Sequence, residues 1–120
     1  MSFGDKYFED FLIGEKFRVP SKTMTDAHFL LFASLNGDNH PIHYDDAYCK
    51  KTIFGKRVAH GLLVASMAVL GASRLSFQTE DSMVAFLEQS TAFLKPVFIG
   101  DTVYPEFEVS EIIPKKTSGI

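Results

Sequence analysis

The sequence predicts an α+β domain, and three patterns carry that prediction. Residues 61–72 are apolar on nearly every helical face, the mark of a helix buried all round rather than one with a single apolar stripe. Residues 102–110 alternate, with Val103, Phe107 and Val109 on one side and Tyr104, Glu106, Glu108 and Ser110 on the other, as a half-buried strand does. Earlier in the chain, Phe29, Leu30, Phe32 and Ala33 recur at helical spacing behind Thr25-Asp26, a good N-cap opening.

A chain of 120 residues suits one domain with one core and is too short for two ordinary ones, so residues 1–120 are read as a single domain. Twelve Lys and Arg against fifteen Asp and Glu leave a net charge of −3. Nucleic-acid binding needs clustered cations to neutralise many phosphates, so that class is excluded. No apolar run reaches the roughly 20 residues of a bilayer span, and charged residues stand where a signal peptide has its apolar segment. The expectation is a cytoplasmic protein with no membrane partner. Its one cysteine, Cys49, cannot form an internal disulfide and reads as a passive thiol in a polar helical segment.

In chain order, residues 1–14 mix aromatics with acids and read as an aromatic-anchored arm. Residues 15–24 contain Pro20, which lacks a ladder donor and so marks an edge strand or a bend. The helix opened by Thr25 is stopped by Asn36-Gly37. Residues 44–51 place acids first and lysines last, matching a helix dipole. Residues 52–60 connect, 61–75 form the central helix, 74–82 read as a loop, and 83–94 as a long strand before the turn at Pro96 and Gly100-Asp101.

The candidate chemistry lies in Gly37-Asp38-Asn39-His40-Pro41-Ile42-His43. Gly37 suits a left-handed C-cap and Pro41 forces His40 into an extended conformation, so the segment is a rigid turn. If Asp38 and His43 face one another across the width of a water molecule, one takes a proton while the other gives or holds one, without a metal. The alternative is an Asx-type turn at Asp38 and a structural, hydrogen-bonded His43. Lys56, Arg57 and His60 form either a solvated basic face or a contact for an anionic group such as a nucleotide phosphate. At the start of the apolar helix, the Gly61 and Leu62 amides lack intrahelical partners and could hold a developing oxyanion; equally, Gly61 could simply allow close packing.

Residues 32–45 (Phe-Ala-Ser-Leu-Asn-Gly-Asp-Asn-His-Pro-Ile-His-Tyr-Asp), Lys51-Thr52-Ile53-Phe54-Gly55, Val58-Ala59-His60-Gly61-Leu62 and residues 93–103 resemble the MaoC-like (R)-specific enoyl-CoA hydratase/dehydratase family. The resemblance runs from about Thr23 onward, with several motifs in the right order and spacing. It implies a hotdog fold, in which a curved antiparallel sheet wraps a central helix at about residues 61–75. It further implies water addition to a trans-2-enoyl thioester through Asp38 and His43, with the Gly61 amide polarising the thioester carbonyl. His60, Leu62 and His40 would line the oxyanion and substrate site, and Lys56 and Arg57 would meet phosphates of coenzyme A. The substrate is then an acyl-CoA or acyl-carrier thioester, no metal or other cofactor is needed, and a homodimer or an oligomer of dimers is expected.

The chain departs from the family pattern at His40, where Asn usually precedes the proline. The family also continues through two further strands after the segment matching residues 112–116, so the last strands of the sheet are expected to be absent, as in a fragment or a chain completed by a partner. Two other readings remain: a hotdog acyl-CoA thioesterase, and a non-catalytic acyl-thioester-binding module.

Overall fold

The computed structural model describes residues 4–115, which pack as two compact units. One draws on Met1–Pro20, Ala68–Ser90 and Pro105–Ile120, the other on Ser21–Met67 and Thr91–Tyr104. The first unit holds an antiparallel pair, β1 (Lys16–Arg18) with β4 (Glu106–Glu108), in which Phe17 lies opposite Phe107. Phe17 is buried here, packed edge-on against Phe11, while Lys6 bridges from the amino-terminal arm to Glu15 at 2.8 Å. That arm contains a 3-10 turn at Phe8–Asp10; the aromatic anchoring expected of it is met by Phe11, on Phe17, and not by Tyr7 or Phe8, which are exposed, while residues 1–3 lie outside the described residues.

The second unit carries the candidate chemistry. Its pair, β2 (Lys22–Thr23) with β3 (Thr102–Val103), is antiparallel, and Pro20, which has no ladder donor, lies outside both β1 and β2. Helix α1 (Asp26–Asn36) begins after Thr25, whose backbone is extended, and ends at Gly37 in the left-handed region with φ 76°. Only glycine takes that φ without steric cost, so Gly37 sets where the helix stops and the loop begins. Met24, Phe29, Ala59 and Leu63 form the core, with Phe32, Tyr44, Val97 and Ile99 packed around it. Phe29 and Ala33, one helical turn apart, supply α1's buried face, whereas Leu30 is exposed rather than inward.

Three expected elements differ. The strand read over residues 102–110 is broken at Tyr104-Pro105 into β3 and β4, since Pro105 has no amide hydrogen to give a ladder. The continuous helix over residues 61–75 occurs instead as α3 (Gly61–Ser66), a 3-10 turn at Leu70–Ala72 and α4 (Leu75–Gln78). The hydroxyl of Ser66 donates to the Leu63 carbonyl at 2.6 Å, and that of Ser73 to Leu70 at the same distance. Such side-chain bonds to the preceding turn compete with the helix ladder and favour an end or a bend. α4 occupies part of the stretch read as a loop, because Leu75 is drawn into the first unit's interior at 2 % exposure. Residues 83–94, read as a long strand, form no strand, and Val84, Phe86 and Leu94 are exposed. Strand propensity yields a strand only where a neighbouring backbone completes the ladder. Among the described residues no helix is long and apolar enough to cross a membrane.

Phe29 is fully buried while Leu35, on the same helix, is 84 % exposed. Phe29→Ala is therefore expected to lower stability by about 3–5 kcal/mol, the range for emptying a core aromatic site. Leu35→Ala should stay within about 0.5 kcal/mol of the parent. Urea midpoints at constant m-value measure both, and equal losses would contradict this core.

Candidate active site

The loop between α1 and α2 (Asp46–Cys49) is built by successive side-chain caps. Asn36 Oδ1 accepts the Asp38 amide at 2.9 Å, Asp38 Oδ1 accepts the His40 amide at 3.4 Å, and His40 Nδ1 accepts the Ile42 amide at 3.1 Å. Pro41–His43 then closes as a 3-10 turn, with proline at its start where no donor is required. His40, the departure from the family pattern, thus supplies a turn acceptor through its ring, the service an asparagine side chain gives in an Asx turn. The expected rigid turn is present.

His43 points inward, with its side chain 10 % exposed, and its Nδ1 lies 2.6 Å from the Val58 carbonyl. A carbonyl only accepts, so Nδ1 carries the hydrogen and the neutral ring keeps its lone pair on Nε2. That Nε2 faces Asp38 Oδ2 at 3.8 Å. The distance exceeds a direct hydrogen bond, and without an added proton both atoms are acceptors. A molecule that donates two hydrogens at once, as water does, satisfies both. Asp38 therefore makes the Asx-type backbone contact with one oxygen and turns the other toward His43.

Burial is the main influence on His43 and pushes its pKa below the ordinary 6.5; the Val58 carbonyl pulls it up, His60 pushes it down, Asp38 pulls it up and His40 pushes it down. The folded ring then binds a proton less readily than the unfolded one. The stability it contributes is present above about pH 6.5 and is lost as pH falls through the lower folded value.

His60, at 2 % exposure, lies flat against His43 with ring centroids 3.7 Å apart and planes 21° from parallel. Its Nε2 is 3.0 Å from the Asp38 carbonyl and 3.1 Å from the Tyr44 hydroxyl. Tyr44 in turn donates to the Phe29 carbonyl at 3.1 Å, and burial, ahead of Asp38 and Asp26, holds its phenol above the ordinary 10.0, so it stays protonated. Neither Tyr44 nor Val58 was marked by the sequence, because each acts through a contact with a residue far along the chain or through its backbone.

Asp38, His43 and His60 each offer a possible metal-ligating atom within 4.8 Å of one another. The rings argue against a shared ion. An imidazole lone pair lies in its ring plane, so near-parallel rings 3.7 Å apart aim side by side rather than at one point about 2.0–2.1 Å from each.

A cavity of about 320 Å³ opens in the same unit, with Phe54, Val58, Ala59, Gly61, Val64 and Phe93 among its walls. Val58 joins it to the pair, since its carbonyl holds His43. Gly61 opens α3, and a Cβ there would lie 3.2 Å from the Phe93 ring, so the close-packing role applies. Leu62 is exposed; Lys56 has its Nζ 4.8 Å from the Phe98 ring centre; Arg57 is engaged with Asp26 at 2.7 Å and Asp46 at 2.9 Å. A guanidinium so paired serves to tie α1 to α2. Cys49 is fully buried, its thiol against the Ile42 carbonyl at 3.2 Å and raised in pKa by burial, as expected of a passive thiol.

The MaoC like domain family profile matches residues 10–119. The chain is 38% identical over 112 residues to an (R)-specific enoyl-CoA hydratase of Rhodospirillum rubrum, covering 92% of this chain and 74% of that protein. Its fold resembles that of a solved Archaeoglobus protein described as a monoamine oxidase regulatory protein (TM-score 0.75, 39% identity, 92% of this chain and 74% of that one). It also resembles the (R)-hydratase of Aeromonas caviae (TM-score 0.72, 35% identity, 86% and 75%). The α+β hotdog architecture expected from the sequence is thus shared with these structures, and the chain belongs to the MaoC-like domain family.

Proposed function

We propose that this chain adds water reversibly to a trans-2-enoyl thioester to give a 3-hydroxyacyl thioester. One observation carries the reading: Asp38 Oδ2 and His43 Nε2, both acceptors, face each other at 3.8 Å with the His43 tautomer fixed by Val58. A water held between them has both hydrogens engaged and its oxygen free to attack. As that oxygen bonds to C3, one acceptor takes a proton, the C2=C3 electron pair moves toward the thioester carbonyl, and a proton passes to C2. Asp38 is assigned as the base and His43 as the group that holds the water and relays the proton. The Gly61 amide, on the cavity wall, would stabilise the enolate oxygen. The apolar walls around it suit an acyl chain, and the similarity to an (R)-specific enoyl-CoA hydratase supports the same chemistry. The acyl group would arrive on coenzyme A or a carrier, with no metal or redox cofactor taking part.

Loss of crotonyl-CoA absorbance tests this directly. Asp38→Asn and His43→Ala should each lower kcat by roughly 10²–10⁴-fold, the usual share of a proton-transfer group. Unchanged rates in both variants would refute the assignment; release of free thiol would indicate a thioesterase, and binding with neither signal a non-catalytic module.

The rate should also depend on neutral His43. Because burial lowers its pKa from 6.5, kcat/KM should rise with pH through a midpoint below 6.5. An acidic limb centred at or above that value would contradict a buried, neutral His43.

A further inference from the structure

His60 touches both members of the pair, although it shares no segment with either. Its Nε2 meets only acceptors or the Tyr44 hydroxyl, so Nε2–H donates to the Asp38 carbonyl at 3.0 Å. Its ring face covers the ring of His43 at 3.7 Å. Phe29 and Phe32 hold it from the other sides, with centroids at 5.9 and 5.0 Å, so the ring has little freedom to turn. Nδ1 is buried without a hydrogen-bond partner among the described residues. A buried imidazole with one nitrogen unsatisfied is costly to keep for packing alone, since an apolar ring of the same shape would avoid that cost.

We propose that His60 is a positioning residue: its Nε2–H pins the Asp38 backbone while its ring face fixes the plane of His43, so one buried imidazole sets the separation of the acceptor pair. The inference rests on the hydration reading for its kinetic consequence, but the geometry stands without it. His60 does not line the cavity, which sets it apart from the substrate-contact role the sequence suggested. Stacking has an electrostatic consequence as well. Two imidazolium rings at this distance repel, so His60 opposes protonation of His43, alongside His40 and against Asp38; Tyr44 faces the pair as a neutral phenol.

The test uses His60→Phe, which keeps a stacking surface without the donor, and His60→Gln, which keeps a donor without the stack. In crotonyl-CoA hydration both should lower kcat on the order of tenfold, the effect of losing one positioning contact, with KM within about twofold. In both, the His43 ring resonances, followed by NMR across pH, should titrate with a midpoint higher than in the parent. A rise in KM at constant kcat would make His60 a substrate contact and overturn the proposal. A His43 midpoint unmoved in both variants would also overturn it. A parent chain that does not hydrate crotonyl-CoA, yet shows the midpoint move, would defeat the functional reading and leave the positioning role intact.

Discussion

The hydrogen bond from His43 Nδ1 to the Val58 carbonyl is the constraint on which the rest of the site depends. It fixes one tautomer, and so it decides that the nitrogen facing Asp38 bears a lone pair rather than a hydrogen. The bond is reciprocated nearby: the Val58 amide donates to the Ile42 carbonyl at 3.1 Å, so loop and connector are stitched by two bonds in opposite senses. The connector is itself held, since the Ala59 amide donates to Val97 at 2.7 Å and the Ile99 amide to Arg57 at 3.0 Å. A side chain on a tight turn is thereby tied to backbone that is anchored elsewhere in the unit, and its orientation does not depend on the loop alone.

Burial and hydrogen bonding pull His43 in opposite directions, and burial prevails. The Val58 carbonyl and the Asp38 carboxylate both favour a proton on the ring, yet the pKa still falls, because a cation at this depth loses its water and meets a second imidazole on its face. Above that lowered pKa the ring is neutral, so the pair is not an Asp–His ion pair. It keeps two acceptors apart and in need of donors. Asp38 completes the contrast: its side chain is half exposed, so it retains access to solvent while its backbone is held from beneath.

Much of this arrangement was legible in the sequence where local chemistry governs. Thr25 and Gly37 mark the ends of α1 through capping and a positive φ, and Pro41 with its neighbours fixes the turn, all within a few residues. The apolar runs were less legible. Residues 61–75 and 83–94 read as a long helix and a long strand, but hydroxyl groups at Ser66 and Ser73 compete with one ladder and the other lacks a strand neighbour. Arg57 illustrates the same limit: its pairing with Asp26 and Asp46, thirty-one and eleven positions away, has no sign in the residues around it. Likewise His60 carries no local sign that its ring will lie on His43, seventeen residues earlier in the sequence, since only the folded core brings them together.

The central claim is that Asp38 and His43 share one water positioned to attack an acyl thioester. A crystal structure with a saturated acyl thioester, which binds but cannot be hydrated, tests it most directly. The account predicts an ordered water within about 2.6–3.2 Å of both Asp38 Oδ2 and His43 Nε2, lying over C3 of an acyl chain seated in the cavity beside Gly61. An acyl chain bound away from that cavity, or a water that reaches one of the two side chains and not the other, would contradict it.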